Sequence, residues 1–213
     1  MRIAMIGATG LIGRALAPRL AAAHDVLLIG RRPAGISGAE ERVAPVDQWP
    51  DVLAGETVDI AISTLGTTIK QAGSWEAFRA VDVDAVLGFA RAAKAAGARQ
   101  MLSVSSVGAM AGARNNYLAM KGETERELGK IGFERLDIIR PGLLRGDRGG
   151  EQRVGERIGL AISPLANLLL RGSLDRFAAI DADTVAAAMA MLVGAAGAKR
   201  QIHFNRDLKQ LLS

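Results

Sequence analysis

A short apolar run at the start of the chain leads directly into a turn that carries three glycines. Residues 2–6 have the composition of a buried strand, and Gly7, Gly10 and Gly13 follow at three-residue intervals. Residues 10–23 then place apolar side chains at helical spacing. Glycines at such a junction allow a tight turn, close approach of a pyrophosphate to the backbone and close packing of helix on strand. The chain is therefore predicted to begin with a strand, a phosphate-binding turn and a helix.

The remainder of the chain alternates short apolar runs with alanine-rich segments of helical periodicity. Further strands are predicted at 26–29, 42–46, 58–63, 100–105 and 135–139, and further helices at 75–96, 117–130 and 184–193. Apolar strands separated by helices are typical of a parallel sheet that is covered on both faces. We therefore predict an α/β fold, a Rossmann-type doubly wound parallel sheet, in a single domain over 1–213. The segment 143–180 breaks the alternation and is predicted to form a small C-terminal cap on the substrate side.

The composition excludes several classes of function. The chain has no cysteine, which excludes disulfides, thiolate metal sites and a cysteine nucleophile. Its 27 basic and 22 acidic residues give a formal net charge of +5, but the cations are dispersed and aromatic residues are only 4%. We therefore expect neither nucleic-acid binding nor a membrane span. No targeting segment is predicted at the N-terminus, and the expected location is cytoplasmic.

The end of the second predicted strand bears on the choice of nucleotide. An NAD enzyme of this fold places an acid just after that strand to bind the ribose 2′-hydroxyl. This chain has Gly30, Arg31 and Arg32 there. Because a guanidinium suits a phosphate through paired, charge-assisted hydrogen bonds, the sequence favours NADP(H) as cofactor, with NAD(H) less favoured.

Three polar residues further along the chain have the types needed for proton transfer. Ser106 follows the fifth strand, and Tyr117 and Lys121 lie four residues apart, on one face of a helix. A phenol has an ordinary pKa of about 10, and a neighbouring ammonium favours its ionised form. A serine hydroxyl can orient a substrate oxygen. This set predicts carbonyl reduction or alcohol oxidation, with the hydride coming from the cofactor.

The chain resembles the atypical short-chain dehydrogenases/reductases, and more narrowly the subfamily of the Tat-interacting oxidoreductase. The segments that carry the resemblance are 7–13, 65–68, 102–108, 117–123 and 139–144. It implies a Rossmann fold with a small C-terminal cap and an NADP(H)-dependent activity. One departure is Asp82, which stands where many members have an asparagine. A second is the short C-terminal part, which argues against a nucleotide-sugar substrate.

The resemblance also implies roles for individual residues. Ser106, Tyr117 and Lys121 would be the catalytic set, with Tyr117 and Lys121 also contacting the cofactor. Leu65 and Gly66 would line the ribose on the nicotinamide side. Asp47 is similar in position to an acid that contacts adenine, and a surface aspartate is an equal alternative. The pyrophosphate would be held by Gly7, Thr9, Gly10, Leu11, Ile12 and Gly13, and the nicotinamide flanked by Pro141, Gly142 and Leu143.

The predicted function is therefore hydride transfer between NADP(H) and a small carbonyl or alcohol. An NADP(H)-binding regulatory or scaffold protein without turnover is the alternative, and an isomerase with a transient oxidation would use the same residues. Four arginines of the predicted cap would either bind an anionic substrate or be solvated; they are Arg145, Arg148, Arg153 and Arg157. The helix at 184–193 would be either part of the core or the interface of a homodimer.

Overall fold

A parallel sheet is the frame of the computed structural model, which describes residues 1–146, 172–197 and 199–213. In chain order the strands are β1 (Arg2–Ile6), β2 (Asp25–Gly30), β3 (Glu40–Val43), β4 (Ile60–Ser63), β5 (Gln100–Val104), β6 (Arg135–Ile139), β7 (Leu143–Arg145), β8 (Ala179–Asp181) and β9 (Arg200–His203). Seven of them form one sheet in the order β3-β2-β1-β4-β5-β6-β9, and every pairing in it is parallel. Strands β7 and β8 form a separate parallel pair. The predicted Rossmann-type α/β fold is confirmed.

Helices cover both faces of this sheet. They are α1 (Leu11–Ala21), α2 (Trp49–Val52), α3 (Ile69–Ala72), α4 (Trp75–Arg79), α5 (Val86–Ala95), α6 (Asn116–Ile131), α7 (Ala182–Leu192) and α8 (Asn205–Gln210). A π-helical turn (Ala80–Ala85) joins α4 to α5. Short 3₁₀ turns lie at Val46–Gln48 and Gly172–Phe177.

The core has two layers, one on each side of the sheet. Leu16 and Leu20 of α1 and Met189 of α7 are buried in the first layer. Phe89 of α5 and Leu128 of α6 are buried in the second. The apolar face of α7 packs against α1 and is buried in this layer, as the core alternative expects. The homodimer stays a prediction.

The strand order reverses between β1 and β4. Strand β1 lies between β2 and β4. The chain places β2 and β3 on one side of β1 and then returns to place β4, β5 and β6 on the other side. In open sheets of this kind, the loops at the carboxyl ends of the strands diverge at the reversal and leave a crevice for ligands. The turns after β1, β2 and β4 meet at this crevice.

Two elements differ from the sequence prediction. The third strand is Glu40–Val43 rather than 42–46, and it has no fully buried residue because it is the edge of the sheet. The predicted helix 75–96 is interrupted by the π-helical turn, in which Asp82 is fully buried. A π-helical turn is a single widened turn within an α-helix. The apolar residues on either side of it keep their helical spacing, so periodicity alone does not reveal it.

Candidate functional site

The turn after β1 has no room for side chains at two of its three glycines. Gly7 has a φ of +88°, and a Cβ there would lie 2.6 Å from the backbone of Thr64 and Leu65. A Cβ on Gly13 would lie 2.1 Å from the carbonyl oxygen of Gly7. Gly10 is less constrained, since its nearest neighbour would be 3.3 Å away. Gly7 and Gly13 therefore let α1 pack against the turn, while Gly10 keeps the backbone open on the ligand side.

The first turn of α1 presents backbone N–H groups without a competing acid. Its N-cap is Gly10, which has no side chain to cap the helix, and the first turn contains no acidic residue. Thr9 is half-buried beside it, and its carbonyl oxygen accepts a hydrogen bond from Nε of Arg14 at 3.0 Å. Leu11 and Ile12 begin the helix. An open helix N-terminus beside a glycine turn is suited to a pyrophosphate.

A cleft of about 380 Å³ continues from this turn along the ends of β1 and β2. Arg31 and Arg32 line it, are exposed, and form no ion pair with any described residue. Arg42 also lines the cleft, but its guanidinium is paired with Glu40 and Glu56. Arg31 and Arg32 are thus the cations of this cleft that remain available to an anionic ligand.

Glu41 shapes the same cleft from the neighbouring strand. Its carboxylate accepts hydrogen bonds from the backbone N–H groups of Ala34 and Ile36, both at 2.8 Å. The loop that follows the two arginines is held in place by these bonds. Trp49 is buried at the far wall, with its indole N–H donating to the carbonyl oxygen of Ala44 at 3.0 Å. Asp47 is exposed on the adjacent 3₁₀ turn and is not among the residues that line the cleft.

Lys121 reaches the same edge of the sheet from α6. Its side chain is only 6% exposed, and Nζ lies 2.7 Å from Oδ1 of Asp82, which is fully buried. Oδ2 of Asp82 accepts the backbone N–H of Thr67 at 2.8 Å. A Cβ added to Gly66 would lie 3.8 Å from Nζ. Lys121, Asp82 and the Leu65–Gly66 turn after β4 therefore form one contiguous group.

Tyr117 lies one helical turn before Lys121 on α6. Its ring is half-buried and meets Phe78 edge-on, with ring centroids 5.7 Å apart. The helix begins next to it, where the side chain of Asn115 accepts the backbone N–H of Leu118. Arg79 donates two hydrogen bonds to Glu123 and holds the pKa of that carboxyl below its usual value. These contacts join α4 to α6 and fix the position of the tyrosine ring.

The two serines after β5 point to different partners. Ser105 is buried, and its hydroxyl donates to Oε1 of Glu125 at 2.5 Å. The hydroxyl of Ser106 is half-buried and makes a contact of 3.3 Å with the carbonyl oxygen of Val107. Ser105 is therefore committed to the interior, whereas Ser106 is the serine of the pair that remains available for a substrate.

The turn after β6 is bound to the last helix. The backbone N–H of Gly142 donates to Oδ1 of Asn205 at 3.0 Å, and a Cβ on Gly142 would lie 2.2 Å from the carbonyl oxygen of Ala178. Pro141 is buried and Leu143 begins β7. Arg145 is exposed at the end of β7, with Nη2 3.4 Å from the carbonyl oxygen of Ala179. The prediction for Arg148, Arg153 and Arg157, and most of the predicted cap, lies outside the described residues.

Sequence reasoning missed the buried side chains that hold these turns together. Glu125 accepts hydrogen bonds from Ser105 and Arg140, and Asn205 is fully buried against Gly142. The sequence marks Asp82 only as a departure from the family pattern and does not predict its contact with Lys121. The available signal was an ionisable residue within an otherwise apolar run, as at Asp82 between Val81 and Val83.

The part of the chain that the structure describes holds neither a candidate metal centre nor a candidate membrane span. No group of three or more metal-ligating side chains is found there. Nor does any helix in those ranges have the length and apolar character to cross a membrane.

The fold and the open phosphate-binding turn define a dinucleotide-binding protein of the Rossmann class. The model of a family described as NAD(P)H-binding matches residues 7–162. The chain therefore belongs to this NAD(P)H-binding family.

Curated relatives match over most of their length. A protein named FMP52, mitochondrial, from Eremothecium gossypii is 41% identical over 157 residues, which are 70% of this chain and 68% of the relative. The Aspergillus niger protein of the same name is 33% identical over 198 residues, 87% of this chain and 84% of the relative. The cytoplasmic location predicted from the sequence is wrong by this comparison, because these relatives are named as mitochondrial. The narrower resemblance to the Tat-interacting oxidoreductase subfamily stays a prediction.

Solved structures support the fold at low sequence identity. MoeE5 in complex with UDP-glucuronic acid and NAD superposes with a TM-score of 0.72 at 14% identity, covering 95% of this chain and 75% of MoeE5. A UDP-glucose 4-epimerase from Thermotoga maritima gives a TM-score of 0.70 at 13% identity, covering 99% of this chain and 81% of the epimerase. A short-chain dehydrogenase/reductase superfamily protein from Agrobacterium tumefaciens with bound NAD gives 0.66 at 18% identity, covering 90% and 73%. At these identities the likeness concerns the fold alone.

Proposed function

We propose that this chain is an NADP(H)-dependent oxidoreductase that transfers a hydride between the nicotinamide and a small carbonyl or alcohol substrate. The observation that carries the proposal is the position of Lys121. Its ammonium lies beside the Gly66 turn, at the sheet edge where the glycine turn and the arginine-lined cleft also lie. A Tyr-x-x-x-Lys pair in that place suits proton transfer next to a bound nicotinamide.

The residues present fit such a cofactor from end to end. Gly7 and Gly13 let the turn pack tightly against α1, and the less crowded Gly10 and the open start of α1 suit the pyrophosphate. Arg31 and Arg32, which pair with no carboxylate among the described residues, suit the 2′-phosphate of NADP(H), which NAD(H) lacks. Leu65 and Gly66 would lie against the nicotinamide ribose, and Pro141, Gly142 and Leu143 against the ring. Asp47 is left without a proposed role, because it lies outside the lining of the cleft.

The catalytic chemistry would be divided among three side chains. When bound, the cofactor supplies or accepts a hydride. In the reducing direction, Tyr117 donates the phenol proton to the carbonyl oxygen as the carbonyl carbon gains the hydride, and it takes that proton back in oxidation. Ser106 donates a hydrogen bond to the same oxygen. Lys121 would bind the ribose hydroxyls of the cofactor, one helical turn from Tyr117.

Cofactor binding is tested by titration with NADPH and NADH, read through nicotinamide fluorescence and energy transfer from Trp49, which lines the cleft. Arg31→Ala/Arg32→Ala should weaken NADPH at least about tenfold and leave NADH unchanged, since charge-assisted hydrogen bonds contribute about 1.5–3 kcal/mol each. The control is Arg91→Ala/Arg206→Ala, which removes the same charge from exposed positions outside the cleft. Equal losses in both variants, or no binding by the wild type, would refute the proposal.

Turnover is tested with Tyr117→Phe in a screen of aldehydes and ketones. The substitution keeps the ring that packs on Phe78 and removes the hydroxyl, and the chain has no other tyrosine. NADPH oxidation should slow at least about 100-fold with NADPH affinity preserved. Unchanged turnover would exclude Tyr117 as the proton donor. Tight NADPH binding without turnover of any carbonyl compound would favour the regulatory or scaffold alternative.

A further inference from the structure

The buried carboxylate of Asp82 has no partner of opposite charge other than Lys121 in the part of the chain that the structure describes. Oδ1 accepts no hydrogen bond there, and its counter-charge is the ammonium at 2.7 Å. Asp82 is 0% exposed and the side chain of Lys121 is 6% exposed. A charge removed from water to this extent is costly unless it is paired. Each member of the pair therefore depends on the other for its position.

The backbone around Asp82 is shaped to present this carboxylate. Asp82 lies in the π-helical turn Ala80–Ala85, and its carbonyl oxygen and that of Met120 share the hydroxyl of Thr124, each at 3.0 Å. A widened turn leaves carbonyl groups whose helical partners are displaced, and Thr124, from the helix that carries Lys121, supplies the replacement donor. The π-helical turn and α6 are thus joined twice, through Thr124 and through Lys121.

The second oxygen of Asp82 binds the turn that would meet the cofactor. Oδ2 accepts the backbone N–H of Thr67 at 2.8 Å, directly after Gly66. Both charged groups lie against Gly66, because a Cβ there would be at van der Waals distance from them, 3.7 Å from Oδ1 and 3.8 Å from Nζ. One carboxylate thereby fixes both the ammonium and the turn beside it.

We infer that Asp82 is a positioning residue, which holds the Lys121 ammonium against the Leu65–Gly66 turn so that it meets the nicotinamide-side ribose of NADP(H). The inference rests on the proposed function. Lys121 and Thr67 approach different oxygens of Asp82, so in an asparagine one of these two donors would face the amide NH2, which is itself a donor. A carboxylate serves both and also balances the charge of the lysine.

The test compares two nucleotides that occupy different lengths of the site. NADPH reaches the nicotinamide end, whereas 2′,5′-ADP contains the adenosine half alone and should contact the cleft of Arg31 and Arg32. In Asp82→Asn, we expect the Kd of NADPH to rise about tenfold, because the hydrogen bond proposed between the Lys121 ammonium and the ribose is lost or misplaced. The Kd of 2′,5′-ADP should remain within about twofold of the wild type. A general loss of structure would weaken both nucleotides equally.

Asp84→Asn is the matched control. Asp84 lies on the same π-helical turn with 61% of its side chain exposed, and its contact with Arg79 is 3.8 Å long. This variant should leave both dissociation constants unchanged.

If Asp82→Asn does not fold, Lys121→Met is compared with Asp82→Asn/Lys121→Met, from which both charges are absent. Equal NADPH affinities in those two variants support action through Lys121, and a further loss in the double variant overturns it.

Failure of this inference is distinguishable from failure of the proposed function. Wild-type protein that binds neither NADPH nor 2′,5′-ADP would refute the proposed function itself. If the wild type binds both and Asp82→Asn is indistinguishable from it, the cofactor assignment stands and the positioning role of Asp82 is wrong. Equal weakening of both nucleotides in Asp82→Asn also overturns that role, because it indicates a purely structural one.

Discussion

Arg140 donates two hydrogen bonds to the carboxylate of Glu125, from Nε to Oε1 at 2.8 Å and from Nη2 to Oε2 at 2.5 Å. Oε1 also accepts the hydroxyl of Ser105 at 2.5 Å. Ser105 precedes Ser106, Arg140 precedes Pro141, and Glu125 lies one helical turn after Lys121. A single buried carboxylate therefore joins the three segments that carry the candidate catalytic serine, the turn proposed to flank the nicotinamide and the candidate catalytic lysine.

We predict that Glu125→Gln lowers the free energy of unfolding by about 3 kcal/mol, because it leaves a largely buried guanidinium without its counter-charge. Urea unfolding followed by circular dichroism measures the change. Glu127→Gln is the control on the same helix, since Glu127 forms surface ion pairs with Arg126 and Lys130 and its loss should cost less than about 1 kcal/mol. Losses of the same size at the two positions would contradict the role assigned to Glu125.

The glycines of the phosphate-binding turn give a second prediction. Gly13→Ala places a methyl group 2.1 Å from the carbonyl oxygen of Gly7, so the helix must shift. We expect a loss of about 1–3 kcal/mol in the free energy of unfolding, together with loss of NADPH binding. Gly129→Ala is the control, because Gly129 is an exposed position of α6 at which a Cβ would lie 4.0 Å from its nearest neighbour, Nη1 of Arg200. Its expected effect is a gain of about 0.5–1 kcal/mol, and a gain at Gly13 would show that the turn adjusts freely.

Much of the fold is predictable because its signals are local. The strands β1, β2, β4, β5 and β6 are apolar runs of the right length, and the glycine turn marks the first strand–helix junction. The residues of the cleft follow from the same logic, since Arg31 and Arg32 come directly after β2. Local sequence patterns therefore predict both the sheet and the edge of the sheet at which nucleotide binding is proposed.

The contacts that stabilise the site are not predictable in this way, because their partners are distant in sequence. Asp82 and Lys121 are 39 positions apart, and Gly142 and Asn205 are 63 apart. No spacing rule for a helix or strand relates residues at such separations. Asp47 illustrates the converse case, in which a residue is near the site in sequence order but lies outside the lining of the cleft.

A third prediction concerns the pH dependence of stability through Asp137. Burial raises the pKa of this carboxyl, but hydrogen bonds from His203, Arg135 and Gln100 outweigh it and leave the pKa below its ordinary value. Because its pKa is lower in the folded state, the ionised Asp137 carboxylate contributes its full stabilisation of the fold above the unfolded-state pKa of about 4. That stabilisation is lost as the pH falls through the folded-state pKa.

The measurement is the free energy of unfolding of the wild type and of Asp137→Asn between pH 7 and pH 3. The wild type should be more stable at pH 7, and the difference between the two proteins should shrink below about pH 4 as Asp137 becomes protonated. Asp84→Asn, at an exposed position, should run parallel to the wild type throughout. A difference that is constant across this range would mean that the charge of Asp137 does not contribute to stability.

The last prediction concerns Asn205, which joins the turn after β6 to the segment that leads into β8. Its side chain accepts the N–H of Gly142 at 3.0 Å and donates to the carbonyl oxygens of Ala178 at 2.8 Å and Asp175 at 3.1 Å. Asn205→Ala removes the partner of the Gly142 N–H and of the Ala178 carbonyl oxygen, whereas the Asp175 carbonyl oxygen still accepts the backbone N–H of Ala178 at 3.0 Å. The substitution should cost about 2–3 kcal/mol of stability. Hydrogen exchange should become faster at Gly142 and in β7 and β8, while exchange in β1 is unchanged at matched global stability.

Asn205→Asp keeps the acceptor for Gly142 but loses both donors, so the Gly142 amide should remain more protected than in Asn205→Ala. Uniform acceleration across the whole sheet would instead assign Asn205 to global stability alone.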